Sequence, residues 1–83
     1  MAILAVEIDP RVEDVSVTED HLQVALRDGR TISAPLAWFP KLAQANGEER
    51  AAWEPAAAGL GIHWPLIDED LSVEGLLRTG VAS

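Results

Sequence analysis

The segment Arg27-Asp28-Gly29-Arg30 constrains the fold of this chain more than any other. Asp-Gly readily takes the positive φ angles of a tight turn, and alternating apolar residues flank it on both sides. Before it, Leu22, Val24 and Leu26 share one face of a strand over 21–26. After it, Thr31-Ile32-Ser33 continues as a further strand that Pro35 stops. Upstream, Val12, Val15 and Val17 predict a strand over 12–18, with a bulge at Glu13-Asp14 and a turn at Glu19-Asp20. The first half is therefore expected to be a three-stranded antiparallel meander with one apolar face.

Such a face must be covered by something helical. Leu36, Phe39, Leu42 and Ala43 recur at helical spacing, but Pro40 inside a helix would remove a hydrogen bond and clash with the preceding turn. The pattern predicts a short turn over 36–39 and a helix that starts near Pro40, where proline suits the first position. Asn46 with Glu49 three residues later predicts a capping box, opening a short helix from Glu48 to about Trp53. Residues 54–61 predict a strand, or an irregular extended piece, running into a glycine turn, and Ile62-His63-Trp64 a short strand ended by Pro65. Ser72 is the expected N-cap of a last helix, with Leu71 and Leu76 as a hydrophobic staple, Glu74 near the positive end and Gly80 as the stop. The fold class is thus α+β. It comprises a small antiparallel sheet (the meander plus a short C-terminal strand or hairpin) covered by two or three short helices. Residues 1–83 read as a single domain, with 1–11 as an extension and 12–80 as its core.

Hydrophobic residues make up 48% of the 83, but thirteen of them are alanine, so the core is expected to be thin. A net charge of −8 repels phosphate backbones, disfavours direct nucleic-acid binding and favours a basic protein partner. Acidity also simply keeps a small protein soluble. With no cysteine, the chain has no thiol nucleophile, disulfide or thiolate metal site. No apolar run approaches membrane-spanning length, and Met1–Val6 lacks the basic flank of a signal peptide. A cytoplasmic protein with no membrane partner is the simplest expectation.

The ordered combination of Asp28-Gly29-Arg30, Pro35-Leu36-Ala37-Trp38-Phe39-Pro40-Lys41-Leu42, His63-Trp64-Pro65 and the stretch from Asp68 to Leu77 resembles the small bacterial domain-of-unknown-function family 2442. The resemblance runs over roughly residues 12–80 and implies a small α+β domain with an antiparallel sheet. Members are uncharacterised in the main. Some are encoded beside small toxins, which implies an antitoxin-like role for those members and, by extension, a toxin encoded alongside as a partner. The resemblance carries over no catalytic residue.

Among candidate sites, Asp68-Glu69-Asp70 beside His63 could supply oxygen and imidazole ligands to a divalent cation. Consecutive side chains diverge, however, and the spacing matches no calcium or zinc motif. The competing reading places these acids before a helix N-terminus, where carboxylates favour exposed amides. His21 and His63 sit in strands with no nucleophile pattern nearby. Trp38, Trp53 and Trp64 read first as core anchors and second as partner anchors, Trp38 standing in a rigid corner close in sequence to Arg30. The sequence therefore predicts a non-enzyme without cofactor or metal. It would be a protein-interaction module, antitoxin-like or adaptor, that meets a basic partner through Arg30, Trp38, Trp64, Asp68, Glu69 and Asp70. Two alternatives stand beside it: a small metal- or His/acid-dependent enzyme, and a self-associating module that pairs through a strand edge or residues 3–8.

Overall fold

A computed structural model of the chain describes residues 7–79 together with the backbone of Val81–Ala82. The expected helix stop at Gly80 and most of the 3–8 segment lie outside the described residues.

The meander forms as the alternation requires. Strands β1 (Val12–Val17), β2 (His21–Leu26) and β3 (Thr31–Pro35) pair antiparallel, and β7 (Val81–Ala82) adds a fourth strand beside β3. The register of β1 against β2 shifts between Val12 and Asp14, which places the bulge at Glu13. This bulge lets Val12 and Val15 both turn inward despite their odd spacing. At the first hairpin, the Thr18 N–H donates to His21 O at 2.9 Å and the Thr18 hydroxyl accepts from the His21 N–H at 3.0 Å.

The Asp28-Gly29 turn differs from the two-residue form its dipeptide suggests. Leu26 N–H donates to Arg30 O at 2.8 Å and Gly29 N–H to Leu26 O at 3.1 Å, so three residues make the loop. Gly29 has φ +94° while Asp28 keeps a negative φ. Glycine thus serves as the bulge residue of a longer hairpin, and Asp28 is free to use its side chain instead.

Beyond β3 the chain makes one turn of 3-10 helix over Leu36–Trp38, then α1 (Pro40–Gln44) with Pro40 in its first turn. α2 (Gly47–Ala51) opens with the expected capping box: Glu49 N–H donates to Asn46 Oδ1 at 2.8 Å and Asn46 N–H to Glu49 Oε1 at 2.9 Å. It ends two residues before Trp53. Helices this short do not persist by propensity alone. Arg50 anchors the pair, its guanidinium donating to Leu42 O at 3.0 Å and Ala43 O at 3.1 Å, carbonyls in the last turn of α1.

A second sheet follows, with β4 (Glu54–Ala56), β5 (Gly61–Trp64) and β6 (Glu69–Ser72) in that order, all antiparallel. β6 replaces the helix approach expected at the acids, because Asp70 and Leu71 find cross-strand partners in His63 and Ile62. α3 (Val73–Thr79) starts directly after it, and the Ser72 hydroxyl accepts the Gly75 N–H at 3.0 Å as an N-cap should.

Both sheets turn their apolar faces to one core. Leu22, Val24 and Ile32 of the first sheet meet Ile62 and Trp64 of the second, with Leu36, Leu42, Val73 and Leu76 filling between. Trp64 is 0% exposed, and its indole N–H donates to Arg50 O at 3.2 Å, so burial leaves no orphan donor.

Between β4 and β5, Ala57 (φ +51°) and Ala58 (φ +58°, ψ +33°) both adopt the left-handed conformation, followed by Gly59 at φ +90°. Gly59 also has the aliphatic part of Arg11 against it, where a Cβ would lie 3.0 Å from two Arg11 carbons.

Two outcomes follow from this packing. Trp64→Ala should cost about 3–5 kcal/mol, a large share of the total for a domain this small, and urea denaturation followed by circular dichroism should show the variant mostly unfolded or close to it. Ala58→Gly should do the opposite. Relief of the left-handed alanine, less the extra freedom of glycine in the unfolded chain, should raise stability by about 0.5–1 kcal/mol and Tm by a few degrees in a thermal melt.

Candidate functional site

The residues singled out from the sequence fall into three separate places. Arg30 closes the β2–β3 hairpin, and β3 then runs about 15 Å, at roughly 3.3 Å per residue, before the chain reaches Trp38. The two lie at opposite ends of one strand. Their closeness in sequence does not become closeness in space.

Arg30 is engaged at its own end. Its Nε donates to both oxygens of Asp28, at 3.1 and 3.0 Å, and its Nη2 lies 2.8 Å from Oδ2. Asp28 also accepts the backbone N–H of Arg30 at 3.1 Å and that of Asp9 at 3.1 Å, and its side chain is 3% exposed. A matching unit stands beside it. Asp9 accepts the Arg11 N–H at 3.2 Å and the Arg11 guanidinium at 2.8 Å through each oxygen. Asp9-Pro10-Arg11 and Asp28-Gly29-Arg30 are thus two copies of one Asp-x-Arg device, joined by the Asp9–Asp28 bond and by Arg27 N–H donating to Arg11 O at 2.9 Å. Two Asp-x-Arg triplets were visible in the sequence, and that repetition was the signal for this knot. It uses Arg30 structurally, as a charge partner for a shielded carboxylate.

Trp64, read from the sequence first as a core anchor and second as a partner anchor, is in the core and offers nothing to a partner. The sign was its phase: Ile62 and Trp64 are two apart in β5 and face the same way, while His63 between them faces out.

The three consecutive acids diverge. Asp68 sits in the β5–β6 loop at φ +50°, Glu69 pairs across from Trp64, and Asp70 pairs across from His63 on the outer face. They do not precede a helix directly, since β6 intervenes and Ser72 takes the capping role. On the outer face Glu54, His63 and Asp70 form a row across β4, β5 and β6, and His63 Nδ1 lies 2.8 Å from Asp70 Oδ1. The next hydroxyl along β6, that of Ser72, is occupied with the α3 cap. Among the described residues no group of three or more His, Asp or Glu is arranged to hold a metal ion, and no helix is long and apolar enough to cross a membrane.

Trp38 is different. It is 53% exposed on the 3-10 turn between Pro35 and Pro40, where two prolines stiffen the backbone. Lys41, at the start of α1, donates from Nζ to Asp68 O at 2.8 Å, which ties this corner to the β5–β6 loop carrying Leu66, itself 56% exposed. The Trp38 corner is thus tied to the loop that carries Asp68, while Glu69 and Asp70 leave on opposite faces of β6 and Arg30 stands at the far end of β3.

The comparisons agree with this architecture. A family described as "Protein of unknown function (DUF2442)" matches residues 12–82, and the chain belongs to that family. A crystal structure of a protein of unknown function from Rhodospirillum rubrum is similar at 28% identity and a TM-score of 0.67, over 82% of this chain and 84% of that one. No curated protein matches the chain.

The Asp-x-Arg knot makes stability depend on pH. Arg11 hydrogen bonds hold the Asp9 carboxyl down at about 2, against an ordinary 3.8, and those of Arg30 lower Asp28. A folded value below the unfolded one contributes stability that is fully present above about pH 4 and is lost as pH falls towards about 2. Tm measured from pH 6 to pH 2 should therefore fall over the acid end of that range, and Asp28→Asn should both lower Tm at neutral pH and flatten that fall.

Proposed function

We propose that this domain acts by protein–protein contact, as an antitoxin-like or adaptor module that receives a basic partner through the Trp38 corner and the neighbouring acids. The observation that carries the reading is the exposure of Trp38, 53% on a backbone stiffened by Pro35 and Pro40. Every other tryptophan in this alanine-rich chain is wholly or partly packed into the core. A large ring held rigid in solvent loses little conformational freedom on binding and can bury much apolar area against a partner. Tryptophan is also among the residues that most often dominate interface energetics.

Charge supports the choice of partner. With fourteen acids to six bases, the domain attracts basic surfaces, chiefly by raising the association rate. Asp70 is 69% exposed on the side chain, and Lys41, the one lysine, is already turned to Asp68 O. Leu66 adds apolar area on the loop that Lys41 ties down.

Co-expression of the tagged chain with the proteins encoded beside it, followed by pull-down at two salt concentrations, tests the proposal. A stoichiometric basic partner should be recovered at low salt and weakened at high salt. Trp38→Ala should then cost 2 kcal/mol or more of binding, about 30-fold in Kd, while leaving the melt unchanged. Glu69→Lys with Asp70→Lys should slow association and reduce its salt dependence; Asp68 is left intact because lysine at φ +50° would strain the loop. Partner binding indifferent to all these changes would place the contact elsewhere on the domain.

A further inference from the structure

β1 is an outermost strand of the first sheet, and two backbone bonds fix which of its polar groups the sheet leaves over. Thr18 N–H donates to His21 O at 2.9 Å, so by the alternation of an antiparallel ladder Ser16 and Asp14 turn their backbone groups to Gln23 and Ala25. Beyond the bulge, Arg27 N–H donating to Arg11 O sets the same alternation. The N–H and C=O groups of Val12, Val15 and Val17 therefore point off the sheet, and among the described residues no strand pairs with them. The other open edges among these residues are shorter than the six residues of β1: β6 has four, β4 three including Pro55, and β7 two.

The two faces of this edge differ in chemistry. On the core side, Val15, Ser16 and Val17 line a groove of about 230 Å³ with Gly47, Arg50 and Ala51 of α2, and a side chain at Gly47 would meet open space. The room suits small apolar groups, and the Arg50 guanidinium that turns to Leu42 O and Ala43 O repels a cation there. On the outer side, alternation places Asp14 and Ser16, with Glu13 exposed in the bulge and Glu19 and Asp20 exposed in the turn that follows. Arg11, the cation next to the start of β1, is paired with Asp9. A second copy would lay Glu13 and Asp14 beside its own acids, where like charges destabilise pairing, and the bulge twists the edge away from a flat neighbour. A strand with basic side chains at alternate positions and small apolar ones between them meets the acids with one face and the groove with the other.

We propose that β1 takes up an extended basic segment of a protein partner as an added strand, held by the outward backbone groups of Val15 and Val17. Main-chain bonds supply the affinity, and the acids at the bulge select against neutral, acidic and self-derived strands. The Trp38 corner is not required for this contact, so the two can be lost separately.

The probe is a synthetic peptide alternating lysine and valine, titrated into the full chain with amide hydrogen exchange read by NMR. The Val15 and Val17 amides should exchange quickly in the free chain and become protected about tenfold or more once the peptide is bound. Val17→Pro removes an outward N–H without touching the β1–β2 ladder, and should weaken binding about tenfold with circular dichroism unchanged. Methylation of one alternate set of peptide amides should abolish binding and that of the other set spare it, because only one edge of the added strand faces β1; should Val17→Pro fail to fold, this comparison decides on the unaltered protein. Glu13→Gln with Asp14→Asn should weaken binding and its salt dependence, whereas Trp38→Ala should change neither. No binding, protection already present before the peptide is added, binding indifferent to both methylations, or binding lost in Trp38→Ala would overturn strand addition at β1.

Discussion

Burial of Trp64 is the constraint on which the other elements depend. A small sheet whose apolar face is uncovered has little stability of its own, and the strands of the second sheet give the core only Ile62 and Trp64 as fully buried large side chains. The indole fills the space where the two sheets and the helical segment converge, and its N–H must find an acceptor there. It finds the carbonyl of Arg50, on a helix of five residues that buries no side chain of its own. Arg50 in turn reaches back to carbonyls in the last turn of α1. One buried ring thus sets the second sheet against the first and gives two marginal helices a reason to stay where they are.

The polar periphery works by local closure. Each Asp-x-Arg triplet satisfies its own carboxylate, and the bond from Asp9 to Asp28 ties the entry of the chain to the tip of the hairpin. Arg11 does double service, since its stem packs on Gly59 and so brings the entry segment against the turn that opens β5. The strained Ala57-Ala58 turn lies in this same region, held by neighbours that leave the backbone few alternatives. None of this engages the Trp38 corner, which can therefore meet a partner without disturbing the core.

What could be read in advance was what depends on near neighbours in sequence. Val15 and Val17, Leu22, Val24 and Leu26 announce strands because the side-chain period of a strand is two, and Pro40, Asn46 with Glu49, and Ser72 announce helix starts because capping is a contact over three or four residues. The strand at Glu69–Ser72 was hidden, since acids are poor strand formers and sit equally well before a helix. Its pairing partners, His63 and Ile62, come from another part of the chain. The knot of Asp9, Arg11, Asp28 and Arg30 was half visible: each triplet is local, but the bond between them spans nineteen residues.

The sequence by itself determined the α+β class, the meander, the Glu13 bulge, the helix starts, the family and the acidic surface, all properties of composition or of short-range pattern. Tertiary structure alone decided which tryptophan is core and which is surface, that Arg30 belongs to a charge knot far from Trp38, and that three consecutive acids point to three different places. The physical reason is common to these cases. A side chain's exposure and its charge partners depend on what the fold carries into contact with it, and that partner is chosen by the packing of two sheets around Trp64.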